Sequence, residues 1–231
     1  EGAAVVLAAR TEPAVATLAQ EITATGGRAL GVPTDIADEA QCQRLVEQAL
    51  ANFGGIDVLV NNAFRSEFKS FEASTTDDWR RIFDVNVFGA LQLTRAVVAP
   101  MKQQGSGSIV FINSMSTRII EPLAGAYAAS KGALLIAAQT LARELGPAKI
   151  RVNTVVPGYI WSDKMAAYFR HLAQQQGTSY ETVKADVTGR TALLHIPDSD
   201  EIADPVVFFA ADLSRVVTGQ ALDVNGGQHF H

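Results

Sequence analysis

The chain has 231 residues, of which 48% are hydrophobic and 19% charged, with 24 acidic against 19 basic side chains. This length favours a single domain over residues 1–231, and a net charge of −5 leaves no basic surface of the kind that binds nucleic acid. Apolar runs fall short of the roughly 18 residues that span a membrane, no secretion signal opens the chain, and the single cysteine, Cys42, forms no internal disulfide. We expect a cytoplasmic protein with neither a membrane nor a nucleic-acid partner.

Short apolar runs alternate with segments of helical spacing along the chain. The apolar runs predict buried parallel strands at Ala3–Ala8, Ala29–Pro33, Ile56–Val60, Ser108–Asn113, Arg151–Val156 and Ala221–Val224. The segments between them predict helices at Pro13–Thr25, Glu39–Phe53, Asp77–Gln103, Ala124–Leu145 and Asp200–Leu213. Strict alternation predicts a single α/β domain with a Rossmann-type doubly wound parallel sheet, covered by helices on both faces as three layers.

Polar and chain-bending residues follow the predicted strands. In a doubly wound fold, the ligand binds beyond the carboxyl ends of the strands. The residues at these ends are Thr34-Asp35-Ile36, Asn61-Asn62-Ala63-Phe64, Asn113-Ser114-Met115-Ser116 and Pro157-Gly158. Their alignment along one edge predicts a cleft of the size of a nucleotide.

Tyr127 and Lys131 lie four residues apart on a predicted helix and therefore share one face. A phenol has an ordinary pKa of about 10, and a neighbouring ammonium is expected to lower it towards the working range of an acid or base. Ser114 ends the preceding strand, where its hydroxyl could face the same pocket. Ser116 and Asn113 are close alternatives, although the spacing to Tyr127 favours Ser114. By itself, a Tyr-x-x-x-Lys pair also occurs by chance on many helices.

Several motifs follow one another in order, and their combination resembles the classical short-chain dehydrogenase/reductase family. They are Asn61-Asn62-Ala63, the segment 84–89 around Asn86, Ser114, Tyr127 with Lys131, Pro157-Gly158 and Asn225-Gly226-Gly227. The resemblance covers essentially the whole chain. It implies an oxidoreductase that interconverts a carbonyl and a secondary alcohol by hydride transfer with a nicotinamide cofactor.

The resemblance implies a role for each of four residues. Tyr127 is the implied general acid/base, and Lys131 its pKa partner and a ligand of the nicotinamide ribose. Ser114 is implied to hold the substrate oxygen, and Asn86 to position a water for a proton relay. The alternative interpretation of Asn86 is structural, as a residue that caps or kinks its own helix.

Arg10 favours NADP(H) over NAD(H) as the cofactor. Members that prefer NAD usually carry an acidic residue after the second strand of the family, where this chain has Ala9 followed by Arg10. A guanidinium attracts a 2′-phosphate, although an ordinary surface arginine is the alternative reading. The other implied cofactor contacts are Asp35, Ile36, Asn61, Ala63, Tyr127, Lys131, Pro157, Gly158, Ile160 and Ser162.

Residues 157–197 interrupt the alternation and are predicted to form a lid over the substrate. The lid is rich in aromatic residues, which suits a small, hydrophobic ketone or secondary alcohol and excludes water. The expected substrate contacts are Phe64, Ser116, Trp161 and Tyr168, whereas Met165 and Phe169 are assigned to the core of the lid. His171 and His195 have no partners at metal-ligand spacing, so no metal site is predicted.

The chain departs from the family in two places. It opens where the first helix of the family ends, so the first strand and the glycine-rich loop are not in this sequence; we expect a stable protein to have them, a genuine truncation being the alternative. Phe64 stands where the family usually has glycine, and it either narrows the substrate site or repacks a loop.

Family members commonly form homotetramers, and the alanine-rich predicted helix Ala124–Leu145 would allow helices to approach closely at such an interface. A cofactor-binding or scaffolding protein without catalysis is the alternative function. An enoyl-thioester reductase and an extended-family epimerase are weaker alternatives, because the Tyr–Lys spacing and the chain length respectively disfavour them.

Overall fold

The computed structural model describes residues 2–230 and confirms the alternation of strands and helices. The strands are β1 (Ala4–Ala9), β2 (Arg28–Pro33), β3 (Val58–Asn61), β4 (Gly107–Ile112), β5 (Ile150–Pro157) and β6 (Ala221–Val224). The helices are α1 (Glu12–Ala24), α2 (Glu39–Phe53), α3 (Thr76–Phe83), α4 (Ala90–Gln104), α5 (Gly125–Leu145), α6 (Asp163–Gln176), α7 (Tyr180–Gly189) and α8 (Ser199–Ala210). The predicted elements agree with these to within about two residues at most ends, the usual uncertainty of an element boundary.

All strand pairs are parallel, as predicted, and the described strands pair in two groups. β1 pairs with β2, and a separate four-stranded sheet has the order β3-β4-β5-β6. β1 and β3 are end strands of their sheets, yet Val6 of β1 and Leu59 of β3 pack against the same hydrophobic cluster. Val58 and Val60 on β3 are 37% and 41% exposed, as expected for a strand without a partner on its second edge.

Helices cover both faces of the larger sheet. Successive side chains of a strand point to opposite faces, and on β4 the side chains of Ile109 and Phe111 join a cluster with α2, α4 and α5. Val110, between them, packs instead with Ile202 and Phe209 of α8. The three-layer α/β arrangement therefore agrees with the predicted doubly wound fold.

The predicted helix Asp77–Gln103 is interrupted at its centre by a π-helical turn, Asp84–Gly89. α3 begins with a capping box, in which the Thr75 hydroxyl accepts from the Asp78 N–H and the Asp78 carboxylate accepts from the Thr75 N–H. The run Thr76–Gln104 is long and apolar enough to cross a membrane by length and composition alone, a test that core helices also pass. In this fold, Val97 and Met101 of that run are buried in the core.

The predicted lid, residues 157–197, folds into α6 and α7. The two helices share a small hydrophobic cluster that includes Phe169, Ala173 and Val183. Phe169 is fully buried and Met165 packs against the cluster, as expected for core residues of the lid.

Candidate active site

The carboxyl end of β4 and the first turns of α5 form the centre of the candidate site. The Lys131 ammonium donates to the carbonyl oxygen of Ile112 at 2.7 Å. In return, the Asn113 amide donates to the carbonyl oxygen of Lys131 at 3.0 Å. These two contacts bind the end of the strand to the helix, and they bring Ser114, which follows β4, to Tyr127.

The Ser114 hydroxyl lies beside the Tyr127 phenol and acts on its pKa as a hydrogen-bond partner. Burial raises the pKa of the Tyr127 phenol above its ordinary value, and the hydrogen bond to Ser114 offsets part of this rise. The expected lowering of this pKa is therefore a point on which the structure differs from the sequence prediction. The physical reason is that burial makes the charged phenolate less stable than it is in water, and this effect on the pKa is larger than the opposite effect of Ser114.

Lys131 is 2% exposed, and burial lowers its pKa to about 8. Its Nζ lies 5.8 Å from the ring centroid of Tyr127 and 5.8 Å from that of Phe64. The site thus holds an ammonium close to the phenol, although that ammonium gives up its proton more readily than a lysine in water.

The lowered pKa of Lys131 predicts a pH dependence for carbonyl reduction. If the charged ammonium assists Tyr127 in delivering a proton, kcat/KM should fall by about tenfold per pH unit as the pH rises above about 8. In Lys131→Arg the side chain stays charged at all working pH values. If this variant is active, its kcat/KM should therefore not fall as the pH rises above about 8. A kcat/KM that stays constant between pH 7 and 9.5 in the wild type would contradict the prediction.

Asn86 lies at the π-helical turn and holds the loop that follows β3. Its amide nitrogen donates to the Arg65 carbonyl at 3.0 Å and to Ser130 Oγ at 2.9 Å, while its oxygen accepts from the Arg65 N–H at 2.7 Å. Both amide protons are thereby used within the protein. The side chain can therefore offer a relay water only a lone pair, and its water-positioning role stays a prediction.

Ser130 is a site residue that the sequence analysis missed. It is fully buried, accepts from Asn86, and donates to the Tyr127 carbonyl at 2.7 Å. Its position three residues after Tyr127, on the same helix face, was the available signal.

Phe64 lies beside Tyr127, with ring centroids 6.2 Å apart in an edge-on arrangement. Phe68, which the sequence analysis also missed, lies further along the same loop. Its ring centroid is 6.4 Å from that of Tyr127. No sequence signal indicated Phe68, because spacing within a loop does not define a shared face. The structure thus places the Phe64 ring at the candidate catalytic tyrosine.

The predicted adenosine contacts lie at the carboxyl ends of β1, β2 and β3. Arg10 is exposed at the end of β1 and makes none of the hydrogen bonds or ion pairs found within residues 2–230. Asp35 Oδ1 accepts from the Ala37 N–H at 3.0 Å, and Ile36 packs on the main core. Asn61 donates from its amide to Thr94 Oγ1 at 3.0 Å, whereas Ala63 is exposed.

The donor set at this edge fits the adenosine end of a nicotinamide dinucleotide. It combines a free guanidinium, a carboxylate and exposed backbone at the ends of neighbouring parallel strands, the place where doubly wound folds bind nucleotides. A guanidinium and a carboxylate match a phosphate and a ribose hydroxyl respectively.

The end of β5 supplies the predicted nicotinamide-side residues. The Gly158 N–H donates to the Val224 carbonyl at 3.2 Å, and a Cβ at residue 158 would lie 2.9 Å from Asn225 Cβ and 3.1 Å from Asn225 Cα. Only glycine therefore lets the chain leave β5 here, directly after the buried Pro157. Ile160 packs against the cluster on the α8 face, and the Ser162 hydroxyl caps α6 by accepting from the Met165 N–H.

The predicted substrate residues are only partly brought together. Ser116 Oγ is buried and has no hydrogen-bond partner within residues 2–230, two residues from Ser114. Trp161 packs on Phe169 with centroids 6.1 Å apart, and Tyr168 is 54% exposed. Tyr168 lines a lid cavity of about 410 Å³ that does not include Tyr127.

The described residues contain no group of three or more His, Cys, Asp or Glu side chains that could hold a metal ion. His195 instead pairs with Glu201 at 2.7 Å. Cys42 is fully buried, and burial raises the pKa of its thiol to about 11, so it packs as an apolar residue.

A serine and a tyrosine beside a buried lysine, at the carboxyl ends of a doubly wound parallel sheet, indicate a nucleotide-dependent oxidoreductase as the class of protein. Comparison with known proteins agrees with this class. A family model described as enoyl-(acyl carrier protein) reductase matches residues 1–229.

Characterised and uncharacterised relatives match along most of the chain. An uncharacterized oxidoreductase of Methylorubrum extorquens is 40% identical over 228 residues, which cover 98% of this chain and 88% of the relative. An L-rhamnose 1-dehydrogenase (NAD(P)(+)) of Azotobacter vinelandii is 36% identical over 211 residues, covering 91% and 79%. The crystal structure of a gluconate 5-dehydrogenase from Burkholderia cenocepacia, in complex with NADP and tartrate, matches with a TM-score of 0.86 and 30% identity over 98% of this chain and 86% of that one.

The chain belongs to the short-chain dehydrogenase/reductase family, whose oxidoreductases act on alcohols and carbonyls. The family resemblance and the Rossmann-type fold predicted from the sequence are thereby confirmed.

Proposed function

We propose that this protein is an NADP(H)-dependent oxidoreductase that interconverts a small, hydrophobic ketone and the corresponding secondary alcohol. The observation that carries the proposal is that Ser114, Tyr127 and the buried Lys131 lie together at the carboxyl end of β4, with Lys131 Nζ 5.8 Å from the Tyr127 ring centroid. A phenol held in this way can give a proton to a substrate oxygen, and the cation can stabilise the phenolate that remains.

The residues divide the work of reduction as follows. A bound nicotinamide cofactor would supply the hydride for the new C–H bond at the carbonyl carbon. Ser114 donates a hydrogen bond to that oxygen and orients the carbonyl. Tyr127 transfers its hydroxyl proton to the oxygen, and Lys131 stabilises the resulting phenolate until a proton returns from solvent. Oxidation of the alcohol follows the same steps in reverse.

Arg10 supports the choice of NADP(H). Its exposed guanidinium at the end of β1 is free to pair with a 2′-phosphate. Asp35, Ala63 and the turn after β5 would hold the rest of the cofactor at the carboxyl edge, with Lys131 on the nicotinamide side.

The assembly proposed for the protein is a homotetramer. Support comes from large apolar side chains left exposed on helical surfaces, among them Phe88 at 53% and Ile136 on α5 at 62%. Light scattering on the purified protein should give four times the chain mass, and a monomer would contradict this part of the proposal.

The test of the proposed function is an absorbance assay of NADPH and NADH oxidation with the purified chain. A panel of aliphatic, alicyclic and aryl ketones should be reduced, and NADPH should be the better cofactor. Oxidation of NADPH only with a 2-enoyl thioester would point instead to the reaction that the matched family model describes. Tight binding of NADPH without turnover of any carbonyl would favour the non-catalytic alternative.

A further inference from the structure

Two phenyl rings stand exposed next to the candidate catalytic tyrosine. Phe64 is 60% exposed and Phe68 65% exposed, although both rings contact Tyr127. Large apolar side chains of this kind that border a catalytic group, and are not covered by the protein itself, mark a surface that binds a ligand. We refer to the rings of Phe64 and Phe68 together as the aromatic wall.

The backbone directly after each phenylalanine is held in place. Arg65 exchanges two backbone hydrogen bonds with the buried Asn86 side chain, at 2.7 and 3.0 Å. The Lys69 N–H donates to the Leu123 carbonyl at 2.9 Å. The aromatic wall therefore lies on a loop that is fixed at two points, one on the π-helical turn and one on the segment before α5.

Side-chain ion pairs reinforce the same loop. Glu67 pairs with Arg65 at 2.7 Å, and Lys69 pairs with Asp78 of α3 at 2.9 Å. Because the two phenylalanines are held before any substrate arrives, less conformational freedom is lost when a ligand packs against them.

The orientation of the rings favours a flat ligand. The planes of Phe64 and Phe68 are inclined to that of Tyr127 by 60° and 53°. A planar ring attached to the carbonyl carbon can pack edge-on or offset against such surfaces, and aromatic pairs of this geometry gain energy beyond the burial of apolar area. A puckered saturated ring of the same size gains only the burial.

We propose that the aromatic wall selects aryl ketones and aryl carbinols over their saturated counterparts. This inference rests on the proposed carbonyl–alcohol chemistry and names the substrate class of that same site. It assigns Phe64 and Phe68 as specificity-determining residues, which contact the substituent of the carbonyl and take no part in proton transfer.

The test compares acetophenone with 1-cyclohexylethanone, which differ only in the saturation of the ring. Because the two ketones also differ in intrinsic reactivity, the readout is the change in their kcat/KM ratio between wild type and variants. Phe64→Leu and Phe68→Leu remove a ring and keep an apolar side chain. Each should lower the ratio in favour of acetophenone by about threefold to tenfold.

Phe71→Leu is the matched control. Phe71 lies on the same loop and is 83% exposed, but it lines a different cavity, with Trp79 and Ile82. This variant should keep the wild-type ratio. A ratio that stays unchanged in Phe64→Leu and Phe68→Leu, or that falls equally in Phe71→Leu, overturns the inference.

A binding measurement separates this inference from the proposed function. In ligand-observed NMR titrations of the purified protein, wild type should bind acetophenone more tightly than 1-cyclohexylethanone, and the preference should shrink in the two wall variants. If neither ketone is reduced with NADPH or NADH, the proposed function is wrong for these ketones. The titration still tests whether the aromatic wall prefers an aryl ring. Equal binding of the two ketones by wild type overturns the aromatic wall regardless of turnover.

Discussion

Tyr127→Phe should lower kcat for carbonyl reduction by about 10²- to 10⁴-fold, the usual worth of a positioned proton donor. The substitution removes only the hydroxyl that lies beside Ser114, and it leaves the ring that packs against Phe64 and Phe68. The KM for NADPH should change far less than kcat, because Tyr127 is one of many implied cofactor contacts. Steady-state kinetics at saturating NADPH measures both values.

Tyr180→Phe is the control for this variant. It also removes a tyrosine hydroxyl, but from the lid, where the ring centroids of Tyr180 and Phe169 are 6.5 Å apart. This control should retain the wild-type rate. Carbonyl-dependent oxidation of NADPH that survives at the full rate in Tyr127→Phe would show that the catalytic assignment is wrong.

Arg10→Asp should lower the preference for NADPH over NADH by about 10- to 100-fold. A hydrogen bond to a charged group contributes about 1.5–3 kcal/mol, which corresponds to roughly one to two powers of ten in affinity. The new carboxylate also repels a 2′-phosphate and can accept from the ribose hydroxyl of NADH. The ratio of kcat/KM values for the two cofactors, with one ketone, measures the effect.

Arg28→Asp makes the same change of charge at the opposite end of the strands. Arg28 is exposed and pairs in register with Ala4, whereas Arg10 follows the carboxyl end of β1. This variant should leave the cofactor ratio unchanged. If Arg10→Asp lowers kcat/KM equally for NADPH and NADH, Arg10 does not recognise the 2′-phosphate.

Hydrophobic periodicity was enough to predict most of the fold. β4 contains the continuous apolar run 109–112, and every residue of β5 except Arg151 is buried, since both faces of a parallel strand are covered. The helix Glu39–Phe53 was predicted to the residue, because Asp38 caps its start and Gly54 adopts the left-handed conformation at its end. Local sequence determines such ends directly.

The π-helical turn was not predictable in the same way. The residues of Asp84–Gly89 have ordinary helical spacing, and the turn is seen only where Asn86 meets Arg65 and Ser130 across the fold.

The pKa values at the site depend on burial, which residue spacing does not reveal. The four-residue spacing of Tyr127 and Lys131 predicted proximity, and the two side chains are indeed neighbours. It did not predict that Lys131 would be 2% exposed, with its ammonium donating to Ile112. Burial disfavours both charged forms, so it raises the pKa of the phenol and lowers that of the amine.

The sequence by itself determined the alternation of strands and helices, the membership of the family, and the residues that carry the candidate chemistry. These features are recorded in local periodicity and in short motifs, which act over a few neighbouring residues. Only the tertiary structure decided that Phe68 joins Phe64 at Tyr127, that Asn86 holds a loop, and that Tyr168 lines a separate cavity. Such contacts join residues far apart in the chain, and their geometry follows from how the layers pack together.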